Sequence, residues 1–171
     1  MRRIISVLTL LTTMLIASAG AFAAADIGQP APALVVPELG GQTFDLTSQR
    51  GNVVIINFWA TWCSPCREEM PALDAFYRRY HDKGLVMIGL SADRLHARSE
   101  VSKAMQSYSY PAAMMRDAQT NGFGSPYILP TTFVVDRDGI VRAKLTPDET
   151  KVTEDSLATV VLPLLPSKPA S

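Results

Sequence analysis

Two uninterrupted apolar runs dominate the pattern of this chain, Val53–Trp59 (VVIINFW) and residues 85–90 (LVMIGL). Each has the length and the β-prone content of a strand covered on both faces. Between them the period changes. Met70, Leu73, Phe76, Tyr77 and Tyr80 recur at i, i+3, i+4 and i+7, which predicts a helix over residues 64–81 that buries one side and is stopped by Lys83-Gly84. Pro71 lies inside that pattern and predicts a kink.

Ahead of the first run, residues 26–37 are Pro-rich and read as an extended lead-in, and Gly40-Gly41 within residues 38–46 marks a hairpin. After the second run, Ser91, Ala92, Asp93 and Arg94 lead into a helix over residues 97–108, followed by a short strand over 110–115 and loop chemistry over 121–126. Thr131–Val135 and residues 140–144 flank Asp136-Arg137-Asp138-Gly139 and predict an antiparallel hairpin. Residues 148–165 predict a last helix, with acids near its start and Pro163 breaking it. Strands that alternate with helices and close on a hairpin and a helix predict an α/β fold around a mixed sheet.

Composition narrows the reading. At 171 residues and 47% hydrophobic content the chain supports one domain with a substantial core. Lysine plus arginine and aspartate plus glutamate both count 16, so no basic field argues for nucleic acid. Residues 1–25 stand apart: Arg2 and Arg3 precede an apolar run over 4–16, followed by small residues and an Ala21-Phe22-Ala23 triplet, the order of a secretory signal peptide. The same stretch is just long enough, at about 20 residues, to span a bilayer, so an uncleaved anchor is the competing reading. No cysteine follows the apolar run, which excludes a lipid-modified N-terminal cysteine. The expected organisation is signal or anchor over 1–25, a domain over 26–165, and a short unstructured tail over 166–171.

The candidate chemistry sits where the first strand gives way to the helix. Cys63 and Cys66 are the only cysteines, separated by Ser64 and Pro65. A thiol at that junction faces unpaired backbone N–H groups at the positive end of the helix dipole, a setting that favours thiolate. As a structural staple the pair closes too short a loop to remove much unfolded-state entropy. As half of a zinc site it lacks partners: tetrahedral zinc takes about four ligands, and His81 and His96 are not at ligand spacing. Export into an oxidising compartment adds to the redox reading.

WATWCSPC after a buried strand, with LPTTFVVDRDGIV following much later, resembles the thioredoxin-fold proteins, and the wording is similar to their exported TlpA/ResA-like branch over residues 27–165. The resemblance implies a thioredoxin-like three-layer sandwich with a mixed central sheet, an N-terminal β-hairpin and a helix-strand insertion between residues 90 and 130. It implies a thiol-disulfide oxidoreductase whose only cofactor is its own disulfide. Cys63 would be the exposed nucleophile and Cys66 the buried resolving thiol. Trp62 would flank the site, and Pro130 would match a cis-proline that leaves the Leu129 backbone open to an extended substrate segment. Thioredoxins proper carry a buried aspartate six residues before the first cysteine, where this chain has Asn57. Glu69, one helical turn beyond Cys66, matches a glutamate of the TlpA/ResA-like branch and takes over as proton acceptor on this reading. The implied partners are exported thiol proteins, such as apocytochromes, and a membrane thiol-disulfide electron donor, in a periplasmic or other extracytoplasmic setting.

Two other functions stay open at this point. A peroxiredoxin-type peroxidase would want P-x-x-x-T-x-x-C, whereas Thr61 lies two residues before Cys63 with no matching proline. A copper-binding chaperone would want wider cysteine spacing and a histidine near the last strands. The Ser64-Pro65 dipeptide also leaves the redox direction open, within a range of about −270 to −120 mV.

Overall fold

The computed structural model describes residues 25–166, so the export-type segment and the polar tail lie outside it but for Ala25 and Pro166. The chain enters through β1 (Leu34–Pro37) and β2 (Thr43–Asp45), the antiparallel hairpin expected around Gly40-Gly41. Then follow β3 (Val53–Trp59), α1 (Ser64–Tyr80), β4 (Leu85–Ser91), α2 (Arg98–Met105), β5 (Ala112–Met114), β6 (Thr120–Asn121), β7 (Thr131–Val135), β8 (Val141–Leu145) and α3 (Glu154–Val161). The main sheet runs β5-β4-β3-β7-β8: β3, β4 and β5 are parallel, and β7 and β8 antiparallel. A second sheet, β2-β1-β6, packs against it.

All seven residues of β3 are buried, which is why its sequence is continuously apolar rather than alternating. Side chains still alternate across it and divide the core. Val53, Ile55 and Trp59 join Met70, Leu73 and Phe76 of α1, Val101 of α2 and Leu157 of α3. Val54, Ile56 and Phe58 instead join Leu34, Val36 and Phe44 of the entering hairpin. The three layers are therefore helix, mixed sheet and hairpin sheet. A fully buried residue of this size contributes about 1.5–3 kcal/mol of transfer free energy, so β3, central in both halves, is the axis of the domain.

Helix α1 runs without a break through Pro71 and passes into a short 3-10 turn, His81–Lys83, closed by Gly84 at φ 88°. Helix α2 is shorter than its pattern predicts, because Leu95–Ala97 form a 3-10 turn and Met105 is its last residue.

The final helix departs most from expectation. Asp148 and Glu149 look like first-turn acids, yet α3 begins at Glu154 and passes at Leu162 into a 3-10 turn that contains Pro163. Its start is set by a capping box: the Ser156 N–H donates to Thr153 Oγ1 at 3.1 Å, and the Thr153 N–H donates to Ser156 Oγ at 2.9 Å. The residues before it are held elsewhere, since the Val152 N–H donates to Glu69 on α1.

The two helix starts give opposite signs for one substitution. Thr153→Ala removes an N-cap and should destabilise the protein by about 1 kcal/mol in a urea titration. Were the helix to begin near residue 148, the same change would replace an interior threonine with a better helix former and raise stability.

Candidate active site

The parallel strands β3 and β4 end side by side, with Trp59 opposite Ser91, and the chain leaving β3 turns through residues 60–62 to reach Cys63. Asp93 fixes that turn. It is buried, accepts the Thr61 N–H at 2.9 Å and the Thr61 hydroxyl at 2.6 Å, and accepts the Ser91 hydroxyl at 2.8 Å. The Ala92 N–H donates to the Trp59 carbonyl at 2.8 Å, a further tie between the two strand ends.

Cys63 is the N-cap residue of α1, with extended backbone at φ −86°, ψ 103°. Its sulfur accepts the Cys66 N–H at 3.3 Å, in the place where a hydroxyl or carboxylate oxygen ordinarily caps a helix. Pro65 stands in the first turn and has no N–H of its own, so it competes with nothing at this end. Cys63 and Cys66 are joined as a disulfide. Against the exposed nucleophile that the resemblance implies, Cys63 is only 6% exposed; Cys66 is at 1%, so the order holds but the margin is small. Cys63 meets solvent through a cleft.

That cleft has a volume of about 600 Å³ and is walled on one side by Trp62, Ser64, Pro65 and Ala92, and on the other by residues 125–129. Trp62 (69% exposed) and the fully exposed Tyr127 are large apolar side chains standing in solvent at its rim. Both ends of the second wall are pinned. Gly122 lies so close to the lead-in that a Cβ there would fall 2.6 Å from Pro32, and its N–H donates to the Ala33 carbonyl at 2.8 Å. At the other end the Thr131 hydroxyl donates to the Ile128 carbonyl at 2.7 Å. The Leu129–Pro130 peptide is cis, as expected. Pro130 is buried and Leu129 half-buried, and among the described residues the Leu129 N–H and carbonyl make no backbone hydrogen bond.

Glu69 projects from α1 one turn beyond Cys66 and is 3% exposed. One carboxylate oxygen accepts the Val152 N–H at 3.1 Å, and the other has no partner. Burial pushes its carboxyl above the ordinary 4.5, an effect that the Val152 N–H and the Lys151 ammonium oppose and the Glu68 carboxylate adds to. Glu68 and Arg67 point outward, as expected of a solvated face. Asn57, six residues before Cys63, is a buried amide whose Nδ2 donates to Thr132 Oγ1 at 2.9 Å across the β3–β7 pair.

Trp62, Cys63 and Cys66 thus lie where β3 gives way to α1, Leu129 and Pro130 on the segment facing them and Glu69 one turn further along α1, and two residues were missed. Asp93 carried a signal, a Ser-x-Asp leaving a buried strand, but no periodicity marks it. Tyr127 carried another, an aromatic between Pro126 and Pro130. Among the described residues no three of His, Cys, Asp and Glu gather as a metal-binding group, and no helix is long and apolar enough to cross a membrane.

The chain matches the AhpC/TSA family over residues 27–144. It is 36% identical over 125 residues to the thiol-disulfide oxidoreductase ResA of Bacillus cereus, an alignment that takes in 73% of this chain and 72% of that protein. It is 31% identical over 118 residues to the thioredoxin-like protein YneN of Bacillus subtilis, covering 67% and 68%. Among solved structures, a thiol:disulfide interchange protein of the thioredoxin family from Chlorobium tepidum superposes with a TM-score of 0.66 at 26% identity, covering 82% of this chain and 99% of that one.

Asp93→Ala leaves the buried Ser91 hydroxyl and two half-buried donors on Thr61 without their acceptor. We expect a loss of about 1–3 kcal/mol in stability, together with faster hydrogen exchange at the Thr61 amide; an unchanged exchange rate would show that the turn holds without Asp93.

Proposed function

The chain belongs to the AhpC/TSA family as a thiol-disulfide oxidoreductase, and from that premise we propose that it reduces disulfides of exported partner proteins outside the cytoplasm. The observation that carries this reading is the Cys63 sulfur at the N-terminus of α1, accepting the Cys66 N–H at the floor of a cleft. A thiolate formed there would be stabilised by that N–H and by the helix dipole.

In the reduced protein, the Cys63 thiolate attacks one sulfur of the substrate disulfide; that bond breaks, and the departing thiolate takes a proton. The substrate remains joined to Cys63. The Cys66 thiol gives its proton to the Glu69 carboxylate and attacks the Cys63 sulfur, releasing the second substrate thiolate. Two electrons pass to the substrate and the enzyme is left with its own disulfide, the state present in this structure. A dithiol donor must then recharge it, and the export signal points to a donor reached through the membrane. Substrate held as an extended segment would pair with the free Leu129 backbone beside Pro130, with Trp62 and Tyr127 covering its side chains. The peroxidase alternative gains nothing here, since the Thr61 hydroxyl is committed to Asp93.

Two variants test the scheme. Cys66→Ser should accumulate a mixed disulfide with substrate through Cys63, seen by mass spectrometry; tight copper binding with no reduction of insulin disulfides by the parent would overturn the reading. Glu69→Gln should slow the resolving step, since an amide cannot take the Cys66 proton that a carboxylate accepts. Stability supplies the control. A carboxyl whose folded pKa is raised opposes folding once the pH climbs from its ordinary 4.5 through the raised value. Glu69→Gln should therefore gain stability over the parent as pH rises, while its turnover falls.

A further inference from the structure

Beyond the dithiol cleft, the same end of the sheet carries a second one. The carboxyl ends of β3, β4 and β5 lie side by side, because these strands are parallel and adjacent. The chain leaving β3 carries Cys63. The chain leaving β4 carries Arg94 and His96, and the chain leaving β5 carries Arg116. Arg94, Leu95, His96 and Arg116 line a cleft of about 300 Å³. Ligands of open α/β sheets collect at this edge, outside the carboxyl ends of the strands.

Its charge is unspent. Arg94, His96 and Arg116 are exposed, and none makes an ion pair or a side-chain hydrogen bond among the described residues. The neighbouring acids are occupied: Asp93 is buried and takes the Thr61 and Ser91 donors, and Asp117 is paired with Arg98. The two clefts also adjoin. Ala92 lines the dithiol cleft and Arg94 the basic one, and with the single residue Asp93 between them they are at most ~7 Å apart along the chain. Asp93, between the two, is tied to the turn that holds Cys63, which fixes one cleft against the other. By contrast the dithiol cleft is lined by no charged side chain.

We propose that the Arg94, His96 and Arg116 cleft is a docking site for an acidic segment of the protein substrate, one whose carboxylates lie a few residues from the cystine being reduced. The inference rests on the oxidoreductase reading and adds a substrate class to it. The uncharged cleft takes the backbone and apolar neighbours of the substrate cysteine, and the guanidinium groups take the carboxylates. Guanidinium forks suit that task, since they pair with carboxylates in two parallel hydrogen bonds. In an extended segment, a carboxylate three to five positions from the cysteine lies roughly 10–17 Å along the strand.

The test compares two disulfide-bonded peptides that differ only in aspartate and glutamate against asparagine and glutamine at those positions. At low ionic strength the parent protein should reduce the acidic peptide with a kcat/KM about tenfold higher, a preference lost at high salt. Arg94→Ala with Arg116→Ala should abolish the preference and leave the rate on the neutral peptide unchanged. Arg94→Glu with Arg116→Glu should reverse it. Equal rates on both peptides with the parent protein, or a preference that survives the double alanine change, would overturn the proposal. A serine-for-cysteine version of the acidic peptide, carrying a fluorophore, separates the two readings by anisotropy. If neither disulfide is reduced the oxidoreductase scheme fails, while binding of this thiol-free peptide, lost with both arginines, still supports the docking site, and its failure to bind overturns that site.

Discussion

The N-terminus of α1 is capped by a sulfur atom. Cys63 Sγ accepts the Cys66 N–H where serine or aspartate would ordinarily sit, and the arrangement holds only if three other things are in place. β3 must deliver Cys63 at the mouth of the helix, which its seven buried residues ensure by fixing the strand in the middle of both cores. The turn between them must not drift, and Asp93 prevents that by holding Thr61 with two hydrogen bonds. The far side of α1 must be covered, and the approach of α3 does so, with the Val152 N–H closing on Glu69. A capping interaction worth about 1 kcal/mol in an ordinary helix is here the point on which strand, turn and cover converge.

Much of this was legible in the sequence because it is local. The continuous apolar run named β3, the spacing of Met70, Leu73 and Phe76 named α1, and the two cysteines fell at their junction. The cis bond at Pro130 and the hairpin around Asp136 to Gly139 were also expected from short stretches. What escaped depends on residues far apart in the chain. The start of α3 is settled by Thr153 and by a hydrogen bond from Val152 to Glu69, so the acids at 148 and 149 misled. Cys63 is nearly buried because a wall from residues 125–129 stands over it, which no feature of residues 57–71 announces. Arg94 and Arg116 come together only because β4 and β5 are parallel neighbours.

Glu69 links the stability of the fold to the chemistry proposed for it. Its carboxyl is buried one helical turn beyond Cys66 with one oxygen satisfied and the other free. The satisfied oxygen orients the group; the free one has room for a proton. Asn57, on β3, has its Nδ2 engaged with Thr132 and offers no carboxyl. In this chain the carboxyl lies on the helix rather than the strand, and burial, the first cause of its raised pKa, is opposed by Val152 and Lys151 from the segment ahead of α3.

The layer formed by β2, β1 and β6 bears on how the cleft meets its substrate. Strand β1 pairs with β2 on one edge and β6 on the other, Leu34 lies opposite Asn121, and the Gly122 N–H is seated on Ala33. The wall that carries Tyr127 therefore grows directly out of this sheet and is fastened again at Ile128 by Thr131. Both hydrogen bonds oppose closure of the wall over the cleft. On the function proposed, selection falls to the width of the opening and to the rotamers of Trp62 and Tyr127, and a folded substrate would present its disulfide on a segment already slender enough to enter.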